Sequence, residues 1–427
     1  MDLLSMWEGT ANNSMNRSLL EGEECCDVVI IGGGFTGLST AYHLQEKQCS
    51  TIVLEQGKVG CGASGRNGGE VLTGYLGSME YWTEKKGLHA AKKMWQLSLD
   101  SIDLIENIIN KHDISCDFKR NGDFLAAYKP SHLESMKKDQ EFMASKLNYY
   151  GIDIVEKNEI KNELETSFYS GGRVDYKSAH FHPLNYTLGL AKAAEKLGAK
   201  IYERSEATGV KRNSKNKFIV RTDKGKVIAD NLVIATNAYS GDLNKIVKKS
   251  VVPVESIMIA TESLPEDVVE ALIKNNRAVS DTKNLLYYFR RTGDNRLAFG
   301  GSGRASSKRD QNRIYENLLE GMLSVFPQLK GTRIEYRWGG KVGFTQNMLP
   351  CIGQLKDGAH FAFGYGGHGA AMASLLGKTM AEDILEEGDP DNPLRIKKLR
   401  SIPFHNQHSK AVGVMKFYKQ FQDRFFG

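Results

Sequence analysis

Three observations predict an α/β fold in which one parallel sheet is assembled from distant parts of the chain and an α+β unit with an antiparallel sheet is inserted into it. First, "VVIIGGGFTGLSTAYHL" (28–44) is a β-branched run, Val28 to Ile31, then glycines, then Leu38, Ala41, Tyr42 and Leu44 at helical spacing. That is how a parallel strand buried on both faces reads where it turns into a helix. Second, "LVIATNAYS" (232–240) is another buried strand, ending at Thr236 and Asn237. Third, "HFAFGYGGHGAAMASLLGK" (360–378) repeats the opening order of strand, glycine-rich turn and amphipathic helix more than three hundred residues later.

In the first turn, Gly32, Gly34 and Gly37 fit G-x-G-x-x-G. In that motif glycine permits a tight turn, close approach of backbone to a pyrophosphate, and close helix–strand packing, while the helix N-terminus offers N–H groups to phosphate. The next strand, "STIVLEQ", ends at Glu55, eighteen residues beyond Gly37, where a carboxylate can accept hydrogen bonds from ribose hydroxyls. A glycine-rich turn alone is weak evidence. Strand, turn, helix, strand and acid together predict a Rossmann-type dinucleotide site.

The remaining elements follow in order. "GKVGCGASGRNGGEV" (57–71) holds six glycines in fifteen residues without periodicity, so it is a loop of special backbone geometry. Residues 84–111 and 131–150 read as amphipathic helices, with "FKRNGDFLAAYK" between them as strand, turn at Asn121 and Gly122, and strand. "PLNYTLGLAKAAEKLGAKIYE" (183–203) is a proline-started helix, a glycine stop and a strand. Long strands occupy "VVPVESIMIATE" and "LLYYFRRTGDNRLAFGG", the latter a hairpin turning at Gly293 and Asp294, and a helix covers 308–329. The predicted nucleotide-binding unit is discontinuous, comprising 1–80, 171–247 and 335–427, and the substrate unit comprises 81–170 and 248–334.

With 427 residues, 41% hydrophobic, the chain can bury more than one core. Its apolar runs are too short to span a bilayer, and the first twenty-six residues lack a basic start and an apolar signal core, which points to the cytoplasm. Six cysteines show neither C-x-x-C pairs nor zinc-finger spacing, so free thiols and no metal site are expected. The net charge of +6 is concentrated in 391–427, among Phe417, Tyr418, Phe421, Phe425 and Phe426. That tail reads either as a helix packing its aromatic face or as a peripheral membrane contact. No nucleic-acid motif accompanies it.

A nicotinamide enzyme has no need of the loop at 62–69. FAD, which runs further through a protein, does need a second glycine-rich surface for its ring, which 62–69 and 364–369 supply. "DVVIIGGGFTGLSTAYHL", "GASGRNGG", "ATNAYS" and "GFTQNMLPCIG…FAFGYGGHGAAMASLLGK" together resemble the FAD-dependent D-amino acid oxidase-like (DAO) family of amine and amino acid oxidoreductases. The resemblance extends over essentially the whole chain and is nearest to the gamma-glutamylputrescine oxidoreductase branch, whose "SMWEGTAN" type lead-in is also present. It implies that Gly32, Gly33, Gly34, Thr36 and Gly37 hold the pyrophosphate and that Glu55, with Gln56, holds the adenosine ribose. Ala63, Ser64, Arg66, Asn67, Gly68 and Gly69 would line the flavin, and Val210 would meet the adenine through its backbone. Thr236 and Asn237 would face the cofactor, and Gly343, Gly364, Gly367, His368 and Gly369 would close the pyrimidine end. Where some relatives carry a flavin-linking cysteine, this chain has Gly340, Lys341 and Val342, so FAD is expected to be non-covalent.

The implied reaction removes hydride from a carbon bearing an unprotonated amine and leaves an imine for hydrolysis, with oxygen or a quinone taking the electrons. Candidate catalytic residues are His368, Arg66, Lys341 and Arg296. Each has a plainer reading: structural ring, loop-fixing hydrogen bond, surface lysine and solvent-facing strand arginine. His180 and His182 read as helix-start packing rather than metal ligands, and one of Tyr287 and Tyr288 could cap the substrate amine. A D-amino acid or glycine oxidoreductase, requiring a cationic carboxylate clamp, is the alternative, and a flavin-bearing redox sensor a third reading.

Overall fold

The computed structural model describes residues 4–12, 15–303, 308–403 and 405. Phe417, Tyr418, Phe421, Phe425 and Phe426, which carry the reading of a basic aromatic tail, lie outside them.

Two eight-stranded sheets organise the chain. The first runs Cys351–Gln354, His360–Phe363, Gly225–Ile234, Gly22–Ile31, Thr51–Leu54, Lys200–Tyr202, with Phe218–Arg221 and Gly209–Arg212 added beside Gly225–Ile234. Its parallel centre is set by Ile31 opposite Leu54 on one side and Ile234 on the other, while Val233 lies opposite His360. Three distant stretches of chain therefore meet in register. The strands are apolar throughout because both faces are covered: Val28, Ile30, Val53 and Val233 join one core, and Val29, Ile31, Ile52 and Leu54 another. Helices Phe35–Glu46, Pro183–Lys196 and Gly369–Ile384 share the first core, and Leu88–His112 packs on Gly369–Ile384. Residues 84–111 are not one helix: Gly87, at φ +85°, separates Met79–Lys86 from Leu88–His112.

The second sheet runs Ile334–Phe344, Val252–Thr261, Leu297–Ser302, Tyr288–Arg291, Ala278–Asp281, Asp123–Ala126, Gly172–Asp175, Ile152–Val155. Its pairs are antiparallel except Ala278–Asp281 with Asp123–Ala126. Strands Gly172–Asp175 and Ile334–Phe344 thus pair in the second sheet, although sequence placed their segments in the nucleotide-binding unit. Phe124, Val174, Val279, Phe289 and Phe299 are buried on the back of this sheet together with Tyr315, Leu318 and Met322 of helix Lys308–Val325. The alternate residues Leu125, Arg173, Ser280 and Tyr288 therefore face the other way, into a cavity against the first sheet. No helix among the described residues is long and apolar enough to cross a membrane.

Candidate active site

At the tip of strand Gly22–Ile31 the chain turns through Gly32 at φ +113°, where a Cβ would stand 2.8 Å from the Ala235 carbonyl oxygen. A Cβ on Gly37 would run into the Gly32 carbonyl oxygen, so this glycine lets the helix lie directly on the turn. Gly34 is the N-cap of helix Phe35–Glu46 and makes no side-chain cap; instead Phe35 N donates to Ser64 Oγ at 3.0 Å. Glu55, 8% exposed, ties the turn to the following loop: Oε2 accepts from Gly33 N at 2.7 Å and Oε1 from Gly57 N at 2.9 Å. Each carboxylate oxygen carries further lone pairs, and Glu55 and Gln56 line the cavity, so a ribose remains within the acid's capacity.

The glycine loop is held from behind by three long side chains. The carbonyls of Arg66, Asn67 and Gly68 accept, in order, from Trp338 Nε1 at 3.1 Å, Trp7 Nε1 at 2.8 Å and Arg290 Nε at 2.7 Å. Trp7, Trp338 and Arg290 are almost wholly buried, and because each carbonyl has a partner the loop can present its other surface to the cavity without an unsatisfied backbone group. Asn67 braces the loop internally, donating to the Ala63 and Ser64 carbonyls and accepting from Gly69 N. His180 accepts from Arg290 at Nδ1 and pairs through Nε2 with the Asn276 carbonyl; His182 caps helix Pro183–Lys196 and meets Thr10 Oγ1. Burial, with the Arg290 charge, lowers these histidines to about 3 and about 4. Both are neutral packing groups, and no metal-binding cluster occurs among the described residues.

Asn237, at φ +42°, joins the third stretch: its Oδ1 accepts from Gly364 N at 3.0 Å, and a Cβ on Gly343 would occupy the same space. Thr36 Oγ1 and Tyr365 OH lie 2.5 Å apart across the two glycine-rich turns. His368 is the N-cap of helix Gly369–Ile384 and lines the cavity; burial lowers its imidazole to about 4, and its Nδ1 is buried without a partner.

These parts surround one cavity of about 1660 Å³, above the ~300–1,000 Å³ usual for a single small ligand. Gly32, Gly33, Gly34, Thr36, Glu55, Gln56, Ala63, Ser64, Arg66, Asn67, Gly68, Thr236, Asn237, Lys341, Gly343, Gly367, His368 and Gly369 all line it. Gly37, Gly69 and Gly364 stand behind the lining and shape it through backbone contacts. Val210 corrects the sequence reading: it is paired with Val220 in the first sheet, and Glu206 and Ala207 are what reach the cavity. Arg296 is a second correction. It sits outside the cavity, with Nε 2.6 Å from Asp294, Nη1 2.5 Å from Glu335, and the Thr261 carbonyl at 2.8 Å. Arg66 is likewise engaged, Nε donating to the Gly339 carbonyl at 2.7 Å and Nη1 lying 3.3 Å from Glu8. Lys341 is exposed, its Nζ 5.3 Å from the Tyr239 ring centre. Tyr288 lines the cavity, held 2.9 Å from Ser256 Oγ, whereas Tyr287 packs into the second core.

Sequence reasoning missed several charged groups of the cavity wall, among them Glu70, Asp123, Asp139 and Arg173. Glu70 follows the glycine loop, and its Oε1 is buried without a partner; burial holds its carboxyl well above the usual range, against the Arg290 charge. Burial also raises Asp139, and raises Asp123 to about 6 against the pull of Arg173. These residues come from four separate elements, so no local motif joins them.

A discontinuous parallel sheet carrying a dinucleotide turn, a braced second glycine loop and a helix N-terminus converging on one long cavity define a fold for a flavin dinucleotide enzyme. The family described as FAD dependent oxidoreductase (DAO) matches residues 27–383, and the chain belongs to it. It is therefore an FAD-dependent oxidoreductase of the class acting on amines and amino acids. It is 38% identical over 371 residues to a probable oxidoreductase OrdL of Haemophilus influenzae, covering 86% of this chain and 84% of that one. It is 34% identical over 403 residues to gamma-glutamylputrescine oxidoreductase of Escherichia coli, covering 94% and 92%. Among solved structures, glycine oxidase from Geobacillus kaustophilus shares the fold at a TM-score of 0.71 and 21% identity, over 86% of this chain and 96% of that one.

Proposed function

We propose that the chain oxidises the C–N bond of an unbranched primary or secondary amine of the gamma-glutamylputrescine type to an imine, which water hydrolyses to an aldehyde and ammonia or an amine. Glu70 carries this reading: a carboxylate with an unpartnered buried oxygen, next to the flavin-side loop and close to Tyr288, is completed by a cationic amine. An ammonium seated there donates to Glu70. Passing one proton to that carboxylate leaves a neutral amine whose lone pair assists loss of the adjacent hydrogen. Bound FAD supplies the hydride acceptor. Helix Gly369–Ile384 presents its positive end to the cavity, where it would favour negative charge on a bound cofactor, and His368 at its cap stays neutral.

The 34% identity to a gamma-glutamylputrescine oxidoreductase supports the substrate class. A D-amino acid or glycine substrate would need a cation beside the glycine loop, and Arg66 is already committed to Gly339 and Glu8. The absence of disulfides among the six cysteines suits a cytoplasmic enzyme, with FAD held non-covalently and oxygen or a quinone as acceptor. The test is anaerobic stopped-flow mixing of the holoenzyme with putrescine derivatives, glycine and D-alanine. Putrescine derivatives should bleach the flavin, faster as pH rises; re-aeration with peroxide formation would identify oxygen as acceptor. Bleaching by glycine or D-alanine alone would overturn the substrate class.

A further inference from the structure

We propose that Arg173 and Asp139 form a subsite for a zwitterionic α-amino acid head group at the far end of the substrate, Arg173 taking its carboxylate and Asp139 its ammonium; this rests on the amine-oxidation reading above.

Both side chains are charged, both line the cavity, and neither is spent on the fold. Arg173 lies in strand Gly172–Asp175, and among the described residues its only charged contact within 4 Å is Nη1 to Asp175 Oδ2 at 3.9 Å, beyond hydrogen-bond distance. Asp175 is itself fully engaged elsewhere, accepting from Tyr149 OH at 2.5 Å, Thr73 Oγ1 at 2.8 Å and Lys177 N at 3.0 Å. A guanidinium has five N–H donors in a planar fork suited to a carboxylate, and here that fork faces the cavity. Asp139 lies on helix Pro130–Leu147, one face of which, through His132, Ser135, Met136, Asp139 and Met143, also lines the cavity. Its Oδ1 is buried without a partner. Arg173 is close enough for its charge to favour the ionised form of Asp139, yet the two make no ion pair among the described residues. Arg173 also draws on Asp123, but among the described residues it makes no ion pair within 4 Å with Asp123 or Asp139 and no hydrogen bond to Asp175. A guanidinium without a hydrogen-bonded carboxylate beside an Asp139 oxygen without a donor is the complement of a zwitterion, and an apolar end would leave both unmet.

The sheet supplies a ruler. Tyr288, whose ring packs against Gly68 of the flavin-side loop, stands opposite Ser280, Ser280 opposite Leu125, and Leu125 opposite Arg173. All four face the cavity. Three strand spacings of ~4.8 Å place Arg173 about 14 Å from Tyr288. An amine joined through an amide to a γ-glutamyl group has about nine bonds between the reacting nitrogen and the α-carbon, or ~10–11 Å extended at ~3.3–3.6 Å per three bonds. The side chains of Glu70 and Arg173 reach across the remainder.

The test needs three amines: gamma-glutamylputrescine, its analogue without the carboxylate (γ-aminobutyryl-putrescine) and its analogue without the α-amine (glutaryl-putrescine). With the wild-type holoenzyme, each analogue should show KM raised about tenfold or more, with kcat within about twofold, the size expected for one charge-assisted hydrogen bond. Arg173→Met should raise KM for gamma-glutamylputrescine to the value of the aminobutyryl analogue while leaving that analogue's own KM nearly unchanged. Asp139→Asn should do the same with the glutaryl analogue. Equal KM for all three amines in the wild-type enzyme would overturn the subsite without recourse to any variant, and would leave amine oxidation standing. If none of the amines bleaches the flavin, the proposed function falls and the subsite with it.

Discussion

At its nucleotide end the cavity is made of backbone: Gly32, Gly34 and Gly37 clear a path, and Glu55 fixes the turn by accepting from main-chain N–H groups. At its far end, under helix Pro130–Leu147, the wall is made of side-chain charge, with Arg173, Asp123 and Asp139 contributed by two strands and a helix. The first construction is intolerant of any added atom at Gly32 and Gly37, because there the clash is with carbonyl oxygens that cannot move without undoing the turn, while at Gly34 it is with the Ser64 hydroxyl. The second tolerates changes of shape but not of charge. Cofactor binding and substrate choice are thus governed by different physics within one cavity, and substitutions should separate them.

The largest effect is expected at Gly37. Its Cβ position is taken by the Gly32 carbonyl oxygen, so Gly37→Val must push the helix off the turn and dismantle the phosphate cradle. The purified variant should lack the yellow absorbance of bound flavin, or fail to accumulate as soluble protein. A yellow variant with a wild-type ratio of flavin to protein would show that the turn yields, and that backbone construction is not what makes this end intolerant.

That contrast also explains what was legible. A glycine at a turn announces itself within six residues, as at 32–37, and so does the acid closing the next strand. Three central strands of the first sheet are readable because burial on both faces leaves their apolar runs unbroken at 28–31, 232–235 and 361–363. Asp123, Asp139 and Arg173 become neighbours only through the register of the second sheet and the packing of a helix across it, and register is set by long-range pairing that no local pattern reveals. Trp7 was visible only as part of a resembling lead-in; that its indole serves the Asn67 carbonyl sixty residues away follows from tertiary packing alone. Arg296 misleads for the complementary reason: it stands in the hairpin turn just before strand Leu297–Ser302 rather than in a strand, and its partners Glu335 and Thr261 come from other strands.

An intermediate effect is expected at the seam between the two constructions, where His180 and His182 back the glycine loop. Unfolded, these imidazoles take a proton near pH 6.5; folded, they do so only at about 3 and about 4. The unfolded chain therefore binds protons that the fold refuses. Their contribution is intact above pH 6.5 and is lost as pH falls from there toward 4, at about 1.4 kcal/mol per pH unit for each fully depressed histidine. Wild-type stability should drop by roughly 2 kcal/mol between pH 6 and 5 from this pair. His182→Asn, which retains a good helix N-cap, should remove about half of that dependence, measured as the shift of the urea midpoint with pH. An unaltered slope would mean that the neutral ring at this seam costs the fold nothing.

The smallest effect is expected at Arg296, in the turn of the hairpin Tyr288–Arg291 and Leu297–Ser302, and it tests whether the direction of a charge, rather than its place in the hairpin, decides function. Arg296 belongs to the same hairpin as Tyr288, yet its guanidinium is closed off by Asp294, Glu335 and the Thr261 carbonyl, away from the cavity. Arg296→Gln removes two partly exposed ion pairs, together worth about 1 kcal/mol, and should lower Tm by only a few degrees. The variant should keep kcat/KM for its amine substrate within about twofold, with an unchanged rate of reoxidation by the acceptor. A tenfold loss in reoxidation alone would place this cation in electrostatic contact with the reduced site despite the distance, and charge on the hairpin would then matter irrespective of the direction it faces.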